Sequence, residues 1–432
     1  MTATGQMPFM SPRRKFALWV AGIVLLGSVV AVTLVTLSFD PNAYKNEIST
    51  WVKTNTGREL QIDGKIELSF FPWLGVKLNH IQVSNAPGFG ATPLLRAGLA
   101  QLRVKLIPLL QGQWVTGVVV LEGAALHLSR DASGRGNWEP LTHGEAPRAN
   151  LAAFSVGGLS ITDTSLIWDD LQHDQHVTLE KLTLHTGAIA AREPFNLKLG
   201  FDTALSPQLS GHFEASGKGI IDLDAQHYQL REAFIQARIK GEPLPQKDLS
   251  LQINTDISVN INQQILSLNN LKIESTGITL QGHLQAAPVS SAARLTGRLQ
   301  VTPFSPRDVL RKLDIALPAG FPAASLQQAA LSTELSGSLD EVHLTKLTLQ
   351  LDDTAGSGEI ILRMKQKPLL NIDLTFDQFD LGRYIAPTQG QPAALPIETL
   401  RALPVQGSVR VAKLKFGEIQ ADDATLILGT PP

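Results

Sequence analysis

The chain has 432 residues, a formal net charge of -2 and no cysteine. The missing thiols exclude disulfides, thiolate catalysis and cysteine-based zinc sites, and a near-neutral chain without a basic stripe argues against nucleic acid as a partner. By length, two or three ordinary domains are expected, although one elongated repeat-like body satisfies the same number.

The first element in chain order is FALWVAGIVLLGSVVAVTLVTL, Phe16 to Leu37, twenty-two residues without a charge. As a helix rising 1.5 Å per residue it spans roughly 33 Å, enough for a bilayer core. Arg13, Arg14 and Lys15 precede it, which by the positive-inside tendency puts that end in the cytoplasm. The run is longer than the apolar core of a cleaved signal peptide, and no clean A-x-A site follows. The expected layout is a cytoplasmic stretch at 1–15, a transmembrane anchor at 16–37 and one extracytoplasmic body at 38–432. Next, Asp40 as N-cap, Pro41 at the first helical position and Gly57 as a stop predict a short amphipathic helix with Tyr44, Ile48, Trp51 and Val52 on one face. It either lies on headgroups or plugs the end of a sheet, and the plug is the preferred reading.

After Gly57 a period of two takes over. In PFNLKLGFDTAL, Leu197, Leu199 and Phe201 share one parity. In DLSLQINTDISVNI, Leu249, Leu251, Ile253, Ile257, Val259 and Ile261 alternate with polar residues. ITLQGHL and RLTGRLQV add Leu280, Leu284, Leu295 and Leu299. Such alternation predicts strands with one apolar face. Parity slips within VHLTKLTLQL and again between Val411 and Leu414, which predicts bulges or tight turns. The clearest later helix is SPRDVLRKL, with Ser305 as cap and Pro306 in the first position.

Chemistry is sparse. The chain contains no phosphate-binding, dinucleotide-binding, zincin or nucleophile-elbow motif. His173 and His176, beside Asp169 and Asp170, read as a polar turn in preference to a metal site, because a separation of three sends side chains to opposite faces of a strand. Asp352 and Asp353, like Asp422 and Asp423, read as solvated residues at strand ends. GRGNW, Gly134 to Trp138, is a glycine loop with no helix after it, so it lacks the N-terminus that cradles phosphate. No enzyme, cofactor or metal is expected.

The open question is what covers the apolar faces. Six aliphatic side chains left in water on the Asp248–Ile261 strand alone cost roughly 9 to 18 kcal/mol, and two or three short helices cannot shield so much sheet. A closed sandwich core and a smooth aliphatic trough filled by acyl chains both remain, since aromatics are 6% of the chain and the inner face is mostly Leu, Ile and Val.

Three blocks carry a resemblance. FDPNAYKNEISTWVKTNTGREL (Phe39 to Leu60), GKIELSFFPWLGVKLNHIQVSNAPGFG (Gly64 to Gly90) and LHLSRDASGRGNWEPL (Leu126 to Leu141) are similar to signature blocks of the AsmA family of the Gram-negative envelope, with weaker likeness at Leu159 to Asp169 and Asp377 to Tyr384. The resemblance implies a mainly β protein: an N-terminal transmembrane helix, a short amphipathic helix, then an elongated, folded-over antiparallel sheet forming a hydrophobic groove. It further implies an inner-membrane anchor, a periplasmic body and a role in moving phospholipid toward the outer membrane or keeping that membrane assembled. The groove lining is then expected at Leu197, Leu199, Phe201, Leu251, Ile253, Ile257, Val259, Ile261, Leu280, Leu284, Leu295 and Leu299, with phospholipid acyl chains, the inner membrane and envelope proteins as partners and no nucleic acid. The rival expectation is a periplasmic scaffold that assists outer-membrane protein assembly around a closed β core. Family members continue beyond ADDATLILGTPP, so a fragment or a short member is expected, with a body of roughly 20 to 25 strands stacked at about 4.8 Å.

Overall fold

The computed structural model describes residues 40–69, 73–110, 115–139, 155–206, 208–242, 244–288, 293–318, 321–364, 369–384 and 405–429. The anchor expected at 16–37 lies outside them, and among the described residues no helix is long and apolar enough to cross a membrane.

The chain enters through a 3-10 turn, Pro41–Tyr44, that continues into helix α1, Lys45–Thr56. The Asp40 carboxylate accepts the Asn42 N–H at 2.9 Å as N-cap, and α1 stops where Gly57 takes φ 69, a left-handed conformation that glycine adopts without a Cβ clash. The predicted apolar stripe divides. Ile48 packs on a cluster of Ile62, Ile66, Ile81, Ala97 and Ala124 and so plugs the first end of the sheet. Tyr44 and Trp51 face outward, Trp51 with 65% of its surface exposed. Tyr44 belongs to the 3-10 turn and is out of phase with the α-helix.

The strands are β1 (Leu60–Ile62), β2 (Ile66–Ser69), β3 (Trp73–Val83), β4 (Leu95–Lys105), β5 (Val115–Arg130), β6 (Ser155–Asp170), β7 (Gln175–Thr186) and β8 (Ile189–Ala190). They continue as β9 (Phe195–Ser206), β10 (Leu209–Asp222), β11 (His227–Gly241), β12 (Asp248–Asn260), β13 (Ile265–Ser275), β14 (Ile278–Ala287) and β15 (Arg294–Phe304). The last are β16 (Ala329–Ser338), β17 (Glu341–Leu351), β18 (Thr354–Arg363), β19 (Leu369–Phe376), β20 (Phe379–Asp380), β21 (Val405–Phe416) and β22 (Ile419–Leu428). Short helices α2 (Leu106–Leu110) and α3 (Pro306–Lys312) follow β4 and β15; Ser305 caps α3 as the sequence predicts.

All strands belong to one sheet. β3–β7, β9–β19, β21 and β22 lie side by side, and β1 and β2 edge β3. At about 4.8 Å per strand the array is roughly 80 Å wide. Among the described residues its two ends do not pair with each other, so it is an open sheet and not a barrel. The expectation of a wholly antiparallel sheet needs correction at two seams, where β5 pairs with β6 and β19 with β21 in parallel. Both seams are joined by connections longer than a dozen residues, the length a parallel crossover requires.

A line of bulges creases the sheet. His80, Gly123, Asp163, Lys181, Glu232, Asn270 and Lys346 all take φ between 48 and 58 in the middle of their strands. The residue after each turns inward: Ile81, Ala124, Thr164, Ala233, Leu271 and Leu347 are buried and Leu182 half-buried. Such bulges bend a strand and sharpen its twist, so a line of buried side chains follows the crease. The parity slip in VHLTKLTLQL is one of these bulges, with register shifting between Leu344 and Leu347.

The unbulged neighbour supplies matched polar grips. Thr255 Oγ1 donates to the Asn269 carbonyl at 2.9 Å, while the Asp256 carboxylate accepts the Asn270 side-chain amide at 2.7 Å and the Glu232 N–H at 2.8 Å. The same device recurs where Thr333 Oγ1 donates to the Thr345 carbonyl at 3.0 Å and Glu334 pairs with Lys346 at 2.9 Å. The Glu232 N–H, and then the Asn270 amide, hold the Asp256 carboxyl below its ordinary 3.8. A lowered carboxyl pKa stabilises the fold above the unfolded value and loses that contribution as pH falls through the folded one. Asp256→Ala is therefore expected to cost roughly 1 to 2 kcal/mol at neutral pH. In urea melts the gap from wild type should close as pH drops below about 4, with amide exchange accelerating first at Glu232 and Asn270.

Candidate functional site

Directly paired residues on neighbouring strands point to the same face, so the registers define rows that cross the sheet. One row begins at Ile66 and passes through Leu78, Ala100, Leu121, Ile161, Leu184, Leu199, Ala215, Ile235 and Ile253. It continues through Ile273, Leu280, Val301, Leu331, Leu349, Gly356, Phe376, Val411 and Ala424. From β2 to β22 no polar side chain interrupts it. Gly356 is no gap, because the Phe376 ring occupies the space where its Cβ would stand.

A second row runs on the other side of the crease. It passes from Leu230 through Ile257, Leu268, Leu284, Gly297, Leu335, Leu344, Ile360, Ile372 and Gly407 to Leu428. Between the rows lies the crease threonine, Thr255, whose hydroxyl is spent on a carbonyl. The apolar face is thus a bent trough with two aliphatic walls.

Of the residues expected to line a groove, the structure brings eleven together on this face. Leu199, Ile253 and Leu280 lie in the first row and Ile257 and Leu284 in the second. Phe201 stacks on its partner Phe213 with ring centroids 5.1 Å apart and leads through Ala237 to Leu251. Val259 sits opposite Tyr228 and Leu266, Leu295 opposite Ala286, Leu299 opposite Gly282, and Leu197 opposite Gly217. All eleven are half-buried: their flanks are shielded by strand neighbours, and among the described residues nothing packs over them closely enough to bury them. That is not the burial of a closed sandwich core.

Ile261 does not belong. It leaves β12 and opens the turn before β13, half exposed, in the position that Leu171 and Leu223 hold in equivalent four-residue turns. Sequence reasoning missed Ile235, Ile273, Leu331 and Leu349, which the registers set beside the expected residues. Their alternation was visible within single strands, but a bulge changes the parity on one side of the crease.

The polar candidates are structural partners. His176 Nδ1 and His127 Nε2 each lie 2.5 Å from the Asp169 carboxylate, and His173 Nδ1 lies 3.0 Å from Asp170. Among the described residues no group of three or more His, Asp or Glu is arranged to hold a metal. Asp352 is not a simple solvated turn residue. It accepts the N–H groups of Leu326, Gln327 and Gln328 and the Tyr384 hydroxyl. Burial pushes its carboxyl up, but these donors outweigh burial and hold it below 3.8. Asp422 and Asp423 fall inside β22 and not at its end.

The GRGNW loop has a structural centre of its own. Asn137 is fully buried, and its side chain joins Asn85, Ser129 and His127, while the Arg58 guanidinium donates to its carbonyl. The blocks TGREL, NAPGFG and GRGNW, far apart in sequence, therefore meet at one residue. Asp131 organises the loop ahead of it by accepting from Ser133 and Arg135, which hold its carboxyl at about 2.

Fold and site together define a class: an open single-sheet β protein with a continuous apolar trough and polar clamps at its margins. The AsmA family model matches residues 10–402, and the chain belongs to the AsmA family. It is 25% identical over 288 residues to Protein AsmA of Escherichia coli (strain K12), a match covering 61% of this chain and 43% of that protein. The chain thus spans less than half the length of this curated relative. No solved structure matches.

If the trough is an open apolar surface, a charge within a row should interrupt it. Leu280→Glu is expected to lower binding of a solvatochromic apolar dye several-fold. Gln281→Glu, one residue along and on the opposite face, should leave it unchanged, with circular dichroism confirming that both variants fold.

Proposed function

We propose that this protein binds lipid acyl chains along the trough and supports phospholipid transport between the inner and outer membranes, and with it outer-membrane biogenesis. The observation that carries the reading is the first row, an apolar path crossing from β2 to β22 that is half-buried from Ile161 to Phe376, with nothing among the described residues packed over it closely enough to bury it there. Hydrocarbon laid on such a path leaves water at about 0.8 kcal/mol per methylene, and because every step presents a similar aliphatic surface, movement along it meets no polar barrier. AsmA-family membership supports the envelope setting. In this reading residues 16–37 anchor the chain in the inner membrane, the body is periplasmic, and the protein acts by shielding hydrocarbon and not by covalent catalysis.

A photocrosslinker at Val259 in cells is expected to capture phospholipid, whereas one at Ser258, on the opposite face, should not. Val259→Asp should impair lipid flux to the outer membrane while leaving membrane insertion intact. Client polypeptides at Val259, or unchanged flux in the variant, would favour an assembly scaffold.

A further inference from the structure

At the corner of the sheet next to the chain's entry the apolar face ends in exposed residues. β3 begins at Trp73, opposite Lys105 at the end of β4, and α2 follows at once as Leu-Ile-Pro-Leu-Leu. The four-residue turns after β6, β10 and β12 hold one large apolar residue each, whereas in α2 the exposed Ile107 has the half-buried Leu106 and Leu109 on either side of a proline. Ile107 is 61% exposed, Leu102 48% and Val76 38%. Val76 and Leu102 are direct partners that continue from Leu68 on the sheet.

Charge and chain path say what such a corner meets. Residues 60–105 hold five Lys and Arg against two Asp and Glu in a chain whose net charge is -2. Arg103 and Lys105 are exposed on the face opposite Val76 and Leu102, the face of Trp73, whose ring centroid lies 5.4 Å from Lys105 Nζ. Aromatic and aliphatic side chains flanked by cations suit the boundary between headgroups and acyl chains, where the ring is half wet and the cation meets lipid phosphate. The Asn42 side chain accepts the Ile66 N–H at 2.9 Å, tying the entry of the chain to β2 three residues before its end at this corner. The uncharged run ends at Leu37, five residues before Asn42, a reach of at most about 18 Å.

We propose that this corner, formed by Trp73, Val76, Leu102 and Ile107 with Arg103 and Lys105, dips into the surface of the bilayer that holds the anchor. The body then stands on the membrane at a second point besides its anchor, with the first strands of the trough at the lipid surface. For its placement the proposal rests on residues 16–37 being an anchor, which resistance of the reconstituted protein to carbonate extraction checks independently.

The chain has no cysteine, so Ile107→Cys provides a single labelling site. The full chain, reconstituted in vesicles of phosphatidylethanolamine and phosphatidylglycerol, would carry an environment-sensitive fluorophore there. Strong quenching by lipids bearing a shallow acyl nitroxide is expected, with weak quenching by aqueous iodide and the reverse pattern at Gln263→Cys. Adding Arg103→Glu and Lys105→Glu should reduce the lipid quenching several-fold. Iodide access at 107 equal to that at 263 would overturn the proposal, as would a label shielded from both quenchers, which would mean a protein contact. Lipid captured at Val259 together with a water-exposed label at 107 would discard this contact and leave the trough reading standing.

Discussion

The structure depends on one constraint: a single face of the sheet must stay apolar across every strand although the strands are bent in the middle. A bulge adds one residue and sends every side chain beyond it to the other face. The sequence obeys this on each bulged strand. On β11 the inward residue is Leu230 before Glu232 and Ala233 and Ile235 after it; on β13 it is Leu268, then Leu271 and Ile273; on β17 it is Leu344, then Leu347 and Leu349. The unbulged β12 keeps one parity, with Ile253, Thr255 and Ile257 in line. What reads along one strand as an irregularity is, across the sheet, the condition for an unbroken trough.

Much of this was legible in the sequence, and the limits have physical causes. The cap at Asp40, the stop at Gly57, the cap at Ser305 and the long alternating strands rest on local rules and appear as read. The site residues were legible as faces but not as neighbours, because registers depend on turns: the turn after β12 claims Ile261, which alternation alone placed in the strand. The slip at Lys346 was visible because it sits between leucines, whereas Glu232 and Asn270 lie in polar surroundings that hide theirs. Asp352 was misread because its donors come from residues 326–328, distant in sequence, and nothing local announces them. The matched pairs Thr255–Asp256 and Thr333–Glu334 were a detectable signal: an inward threonine beside an acid interrupts an otherwise aliphatic alternation at the same depth of two strands.

An open trough also has to be stable without a second layer. Each inward side chain lies between two strand neighbours, so its flanks leave water whether or not its upper surface does, and the stabilisation repeats from strand to strand as in other nearly one-dimensional folds. The burden falls where a row ends. At the first end α1 lays Ile48 on Ile62, Ile66 and Ile81, and this is the described residues' one cluster of mutually packed buried side chains. Elsewhere burial is confined to the crease and scattered single positions. Stability and the half-buried apolar walls are therefore separated in space: backbone pairing, the crease and the plug hold the sheet, and among the described residues no second layer fills the walls on either side.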